Sequence, residues 1–216
     1  MTKHFQSEIE RLKKKILHLA ALVEESLQLA VQAVAERDIA LADRVIDGDP
    51  VVDSLEIEVE EDCLKILALH QPVAADLRYV VAVLKINNDL ERIADLAVNI
   101  AERARDQARN AHMAVVFDLT AMLDRTVMMV RKSVDALVAQ DAAKAMEVRA
   151  EDDAIDEMHR STFALIQQLI RENPDKVEYL VCLLSVSRNL ERIADHATNV
   201  AEDVVYMIEG EIVRHR

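Results

Sequence analysis

An acidic motif occurs twice in the sequence, at an offset of 100 residues. Residues 88–102 read NDLERIADLAVNIAE, and residues 188–202 read RNLERIADHATNVAE. In a helix, successive side chains turn by about 100°, so residues four apart lie on the same face. The two motifs then predict two matched rows of oxygen donors: Glu91, Asp95 and Asn99 in the first, and Glu191, Asp195 and Asn199 in the second.

A cation is the simplest way to neutralise these rows. Glu91 and Asp95 are like charges four residues apart, a pairing that destabilises a helix by about 0.2–0.5 kcal/mol. No Lys or Arg follows either acid by three or four residues, and the helical wheel turns Arg92 toward another side. A solvated or salt-bridged surface is the ordinary alternative, but the duplication favours hard oxygen ligands of a divalent or trivalent metal ion.

A helical hairpin brings further acids to the first row. If the chain turns near Gln71, Asp53 lies opposite Glu91, and Asp49 lies one helical turn further along. Asp53 also has a counterpart in the second half, because Val52-Asp53 matches Ile155-Asp156 at an offset of 103 residues. Asp49 and Asp53 are therefore predicted to complete the first metal site.

The second row gains acids in the same way. A turn near Asn173 places Asp156 opposite Glu191, and places Asp152, within a run of three acids, opposite Asp195. His159 follows Asp156 by one turn and is a further possible ligand, whereas His196 is rotated away from the acids and suits packing or a supporting role. The other histidines, His4, His18, His70, His112 and His215, have no ligand-like spacing.

Asp76 and Arg78 follow the Gln71-Pro72 turn and carry opposite charges. Their spacing favours a local surface ion pair, which contributes little to stability. The alternative is that they belong to a partner-binding surface.

Composition predicts long helices that pack on one another. The 216 residues include two glycines and three prolines, and aromatic residues make up 3%. A net charge of −14 disfavours direct binding to nucleic acid or to anionic lipid. Cys63 and Cys182 each lie in an apolar run, which is typical of buried thiols in a reducing compartment. With no signal peptide and no uncharged apolar span, we expect a cytoplasmic protein.

The periodicity predicts six helices in two equivalent halves. The halves are residues 1–111 and 112–216, and residues 112–117 form a connector. Gly48 and Pro50 predict an interruption of the second helix, since proline disfavours helix in the residue before it. Asp141 is a predicted N-cap. The helices are expected over residues 8–37, 38–69, 73–110, 119–138, 141–172 and 177–209. The fold class is all-α, with two tandem three-helix bundles.

The chain resembles the PhoU family. The resemblance is carried by two E-x-x-x-D motifs, Glu91 to Asp95 and Glu191 to Asp195, and by the whole stretch of residues 70–102. It implies two three-helix bundles related by pseudo-twofold symmetry, each helping to hold a metal cluster, with iron or zinc as the usual suggestions. It further implies a homodimeric negative regulator of phosphate uptake and of the phosphate-starvation (Pho) response. Such a regulator would link a phosphate ABC transporter ATPase to a membrane-bound sensor histidine kinase.

Two other functions remain open at this stage. Helix bundles with paired carboxylates also build di-metal enzymes, although no Glu-x-x-His element occurs in either acidic motif. A purely structural helical scaffold, in which the acids meet Arg or Lys, is the other alternative. The sequence has no glycine-rich phosphate loop, no G-x-S-x-G elbow and no Cys-x-x-Cys pair, so a non-enzymatic protein is favoured.

Overall fold

A computed structural model describes residues 3–109 and 119–210. The described chain forms six α-helices and one short 3-10 turn, with no strand among these residues. The helices are α1 (Lys3–Glu36), α2 (Ile39–His70), α3 (Ala74–Arg109), α4 (Thr120–Ala139), α5 (Ala142–Glu172) and α6 (Val177–Glu209). The all-α prediction is confirmed, while the predicted connector and the boundary at residue 111 lie outside the described residues.

Matching turns begin the second helix of each half. Arg37 and Gln140 both have positive φ, at 55° and 50°. Each is followed by an aspartate N-cap: Asp38 Oδ1 accepts from the backbone N–H of Ala40 at 2.8 Å, and Asp141 Oδ1 accepts from that of Lys144 at 3.1 Å. These bonds satisfy N–H groups that the first helical turn leaves open. The predicted cap at Asp141 is confirmed.

The predicted interruption of the second helix is wrong, because α2 runs unbroken through Pro50. Proline has no N–H to donate and its ring crowds the preceding turn, which costs about 3 kcal/mol inside a helix. Val45 and Val52 are buried on either side of it. Packing of that face compensates for the local cost.

Two three-helix bundles meet along α3 and α6. Helices α1, α2 and α3 pack together, as do α4, α5 and α6, and among the described residues the α3–α6 contact is the most extensive. Both helices carry small buried residues, including Ala94, Ala97 and Ala197. Within each bundle, α2 packs beside α3 and α5 packs beside α6 as antiparallel pairs. This packing positions the acidic rows.

Polar contacts also join the two bundles. Lys85 on α3 pairs with the almost fully buried Asp203 on α6 at 2.8 Å. Arg37 donates to the hydroxyl of Tyr179 at 3.3 Å. Both thiols are free; Cys63 is buried, as predicted, whereas Cys182 is half-buried. None of the described helices combines the length and apolar character that a membrane span requires.

Candidate metal centre

The α2–α3 hairpin brings the predicted acids of the first half together. Asp49 lies within the electrostatic field of Asp53 on its own helix and of Asp95 on α3. Partial burial, then these two charges, raise the pKa of Asp49 above its ordinary value. The pKa of Glu91 is raised in the same way, by burial and by Asp95, Glu56 and Asp53, against a lowering by Arg92. We call Asp49, Asp53, Glu56, Glu91 and Asp95 the first acidic cluster.

Glu56 was not predicted from the sequence. Its side chain is half-buried, and Asn87 Nδ2 on α3 donates to both its carboxylate, at 2.8 Å, and its backbone carbonyl, at 3.0 Å. Burial and the charges of Glu60 and Asp53 raise its pKa. The hairpin register that pairs Asp53 with Glu91 also pairs Glu56 with Asn87. The same register therefore indicates that Glu56 lies beside this cluster.

Arg92 corrects one prediction about this cluster. The helical wheel turned it away from the acids, yet its Nε lies 3.3 Å from Glu91 and its Nη1 lies 3.0 Å from Asp95. The long arginine side chain bends back across the helix surface, which the direction of Cβ alone does not indicate. Arg92 therefore partly neutralises the first cluster from its exposed side.

The α5–α6 hairpin assembles the second acidic cluster, which is Asp152, Asp156, Glu191 and Asp195. Burial, followed by the charges of Glu191, Asp152 and Asp156, raises the pKa of Asp195 to about 6. Burial also raises the pKa of Asp152, although a hydrogen bond from Thr198 at 3.2 Å opposes the shift. In the part of the chain that the structure describes, Arg192 forms no ion pair with Glu191 or Asp195.

His159 lies beside the second cluster. It lines a hollow of about 490 Å³ together with Arg188, Glu191 and Asp195. Its Nδ1 is 2.9 Å from the hydroxyl of Ser187, which leaves Nε2 to face other groups. By the offsets of the internal repeat, His159 takes the place of Glu56, and Ser187 takes the place of Asn87. Both halves therefore fix this side chain from the same position on the third helix.

Among the described residues, no hydrogen bond joins the two predicted amides or His196 to either acidic cluster, although the charge of His196 opposes the rise in the pKa of Asp195. Asn99 is exposed, whereas Asn199 donates to Asp89 of the other bundle at 3.3 Å. The same carboxylate lies 2.8 Å from Nδ1 of His196, so His196 joins the bundles, in keeping with a supporting role. Ligation by Asn99 and Asn199 stays a prediction.

The predicted partner-binding residues lie on the first turn of α3. Asp76 is half-buried and lines a hollow at the α2–α3 turn with His70 and Val73. Arg78 extends toward the end of α6, where its guanidinium carbon lies 3.5 Å from the point that a Cβ atom would occupy at Gly210. The favoured Asp76–Arg78 ion pair does not form among the described residues, and Arg78 instead packs against the other bundle.

Both clusters have the chemistry of a cation site but an open geometry. Among the described residues, no three side chains of either cluster offer ligand atoms that all lie within 4.8 Å of one another. Mutual repulsion between carboxylates accounts for this spacing and for the raised pKa values. A hard metal ion at either cluster would be held by these carboxylate oxygens, with His159 as a nitrogen donor at the second cluster. The donor set therefore fits a metal ion on chemical grounds.

Comparisons with known proteins agree with this architecture. The family model described as "PhoU domain" matches residues 16–104 and 119–204. The phosphate-specific transport system accessory protein PhoU homolog of Aquifex aeolicus is 38% identical over 97% of this chain and 95% of its own length. The PhoU protein of Escherichia coli is 29% identical over 98% and 88%. The crystal structure of PhoU from Pseudomonas aeruginosa superposes with a TM-score of 0.93 and 31% identity, over 96% of this chain and all of that one.

Proposed function

The chain belongs to the PhoU family, and on that premise we propose that it is a metal-binding, cytoplasmic negative regulator of phosphate uptake and of the phosphate-starvation response. It acts as an adaptor between a phosphate ABC transporter, through its ATPase, and a sensor histidine kinase. Its relatives are named as accessory proteins of the phosphate-specific transport system, and the family match extends over both halves of the chain. These names support a regulatory rather than an enzymatic role.

The duplicated acidic clusters are the observation that carries the metal-binding part of the proposal. A bound cation, with iron or zinc as the candidates, supplies the positive charge that the raised pKa values of Asp49, Glu91 and Asp195 favour. At the first cluster, the acids of α2 and α3 hold it. At the second, Asp152, Asp156, Glu191 and Asp195 hold it, with His159 beside them. In each half the ion would cross-link the two helices of a hairpin.

Metal analysis of chelator-treated and reloaded protein tests this assignment. Replacing Glu91 and Asp95 with Ala should lower the metal content of the first cluster while the Glu191 cluster stays loaded. Asp135→Asn, an exposed acid on α4, is the matched control and should keep full metal content. Unchanged stoichiometry in the Glu91, Asp95 double variant would contradict the assignment and favour a purely structural scaffold.

The tip of the α2–α3 hairpin supports the proposed partner contacts. Leu69 and Val73 are 71% and 73% exposed, and Leu77 is also exposed. Large apolar side chains that are clustered and exposed often mark protein interfaces. Asp76 adds a charge to the same turn. We place kinase or transporter docking here, and a homodimer remains part of the proposal through the family resemblance.

A gene deletion in the native host tests the regulatory role. Loss of a negative regulator should raise expression of phosphate-regulated genes even in phosphate-rich medium. The wild-type gene should restore repression, while a variant with Leu69 and Val73 changed to Ser should fold but fail to restore it. Normal repression in the deletion strain would refute the proposed regulation.

A di-metal enzyme is the second candidate, and one observation favours it. Asp156 and His159 are three residues apart and lie beside the same cluster, which resembles the carboxylate-histidine spacing of di-metal helix bundles. Catalytic oxygen consumption or phosphoester hydrolysis by iron-loaded protein, abolished by His159→Ala, would establish it. Absence of turnover leaves the adaptor as the function.

A further inference from the structure

His4, Glu8 and His70 converge where the start of α1 meets the end of α2, about four helical turns along α2 from Glu56 of the first acidic cluster. His4 Nε2 lies 3.4 Å from one carboxylate oxygen of Glu8, and His70 Nε2 lies 2.5 Å from the other. One ligand atom from each of the three residues can be chosen so that all lie within 4.8 Å of one another. This is the one group of three such donors with that spacing in the described residues.

The α1–α2 hairpin explains why these residues meet. His4 and Glu8 are one turn apart on the same face of α1. The chain reverses at Arg37 and Asp38, so the beginning of α1 lies beside the end of α2, whose last residue is His70. Gln71 then adopts a left-handed conformation and its N–H bonds to the carbonyl of Leu67 at 3.3 Å, which fixes the position of His70.

The surroundings hold two of the three side chains in place and leave an approach open. The side chains of Glu8 and His70 are 16% and 17% exposed, and the His70 ring packs against Phe5 at 5.2 Å between centroids. His4 is 76% exposed. An open hollow of about 310 Å³, lined by Phe5, His70 and Asp76, leads to the group. The site therefore has a preformed pair and one mobile donor at the solvent side.

Two imidazoles and one carboxylate form a ligand set that zinc uses where a fourth position stays open to water. Zinc bonds of about 2.0–2.2 Å in tetrahedral geometry place neighbouring donor atoms about 3.3–3.5 Å apart. The His4–Glu8 distance already has this value, and the His70–Glu8 contact would lengthen as the ion replaces the direct hydrogen bond. Rotation of the exposed His4 side chain completes the closure.

We propose that His4, Glu8 and His70 bind a Zn²⁺ ion that joins the start of α1 to the end of α2. The proposal differs from the sequence-based expectation that His4 and His70 have no ligand-like spacing. It uses no residue of either acidic cluster, and its two imidazole nitrogens favour zinc. An ordinary Glu8–His70 ion pair with a bystander His4 is the competing explanation.

A Zn²⁺ titration of full-length, chelator-treated protein tests the proposal, both in the natural sequence and in a background with Glu91→Ala and Glu191→Ala, which weakens the two carboxylate clusters. Calorimetry gives the affinity, and NMR follows the ring signals of His4 and His70. On both backgrounds, both rings should respond to added Zn²⁺. On the background with weakened clusters, adding His4→Gln and His70→Gln should lower the affinity for Zn²⁺ at least about tenfold.

His18→Gln is the matched control, because His18 is exposed on the same helix three turns away and should keep wild-type affinity. If the double variant loses helical content, the single variant His4→Gln decides, since its exposed ring contributes little to folding. An unchanged Zn²⁺ isotherm in these variants would overturn the proposal. So would ring signals that move with pH but not with Zn²⁺, which would leave an ion pair. Glu91→Ala should not change Zn²⁺ binding by His4, Glu8 and His70. A result against this zinc site is therefore distinguishable from a result against the proposed metal clusters.

Discussion

Replacing Asp195 with Asn removes one negative charge from the second acidic cluster and keeps the size of the side chain. In the metal-free protein, Asp195 faces Glu191, Asp152 and Asp156, and burial together with these charges raises its pKa from 3.8 to about 6. The folded state therefore disfavours the charged form relative to the unfolded chain. We expect Asp195→Asn to stabilise the metal-free protein at pH 7.

The magnitude follows from the shift. Each unit of pKa corresponds to about 1.36 kcal/mol, so the full shift would correspond to roughly 3 kcal/mol at pH 7. Part of the Asp195 side chain remains exposed to solvent, and screening reduces the expected gain to about 1 kcal/mol. Because the pKa of Asp195 is higher in the folded protein than in the unfolded chain, ionisation of this acid lowers the free energy of unfolding. The penalty is absent below about pH 4, grows as pH rises through about 6, and is complete at neutral pH.

Urea unfolding after chelation measures this effect, at pH 7 and again near pH 4. Asp135→Asn makes the same chemical change on the exposed face of α4 and should shift the unfolding free energy by less than about 0.5 kcal/mol. With metal restored, the wild type should become the more stable of the two proteins, because its Asp195 carboxylate binds the metal ion and the amide of Asn replaces it poorly. Destabilisation of the chelated protein by Asp195→Asn, or an equal gain at both pH values, would refute the electrostatic reasoning.

Three further predictions concern the first half and the helix caps. Arg92→Gln should strengthen metal binding at the first cluster by about fivefold in a metal titration. The reason is that this guanidinium competes with the metal ion for Glu91 and Asp95, and an exposed ion pair contributes up to about 1 kcal/mol. Weaker binding by the variant would contradict this competition. Glu56→Gln should lower metal content at the first cluster, while Glu60→Gln, an exposed acid one turn later, should not; equal losses would remove Glu56 from the ligand set. Asp38→Ala should reduce the unfolding free energy by about 1 kcal/mol in urea denaturation, since Asp38 caps α2 through two N–H groups, and an unchanged midpoint would show that water replaces the cap.

The helices could be predicted from the sequence because the apolar periodicity agrees with the positions of helix-ending and helix-capping residues. Gln71-Pro72 and Asn173-Pro174 end helices where expected, and Asp141 caps the next one. Pro50 was misjudged because a local signal for a break is weaker than burial on both sides of it. The start of α1 was placed five residues late, since Lys3, His4 and Phe5 carry too short a pattern to reveal helix.

The acidic clusters could be predicted because hairpin geometry depends only on turn position and helical rise. Counting equal lengths from Gln71 and Asn173 brings Asp53 toward Glu91, whose pKa Asp53 raises, and brings Asp156 and Glu191 toward one residue, Asp195, whose pKa both raise. The same count from Arg37 would have brought His4 and Glu8 to His70, but it was not applied to α1. The contact of Arg92 with Glu91 and Asp95 could not be predicted, because the conformation of this long side chain depends on neighbouring charges and not only on its position around the helix.

Divergence between the two halves gives the clusters different chemistry despite their common origin in one repeat. At the first cluster, Asn87 fixes an extra carboxylate, Glu56, and Arg92 already supplies a positive charge. At the second, Ser187 fixes the imidazole of His159, and no comparable ion pair to Arg192 forms among the described residues. A carboxylate-only set favours a harder ion, whereas an added imidazole nitrogen favours zinc or iron. The repeat thus keeps acids at matched positions of the two hairpins, and single substitutions at those positions give each proposed site a different set of donor atoms.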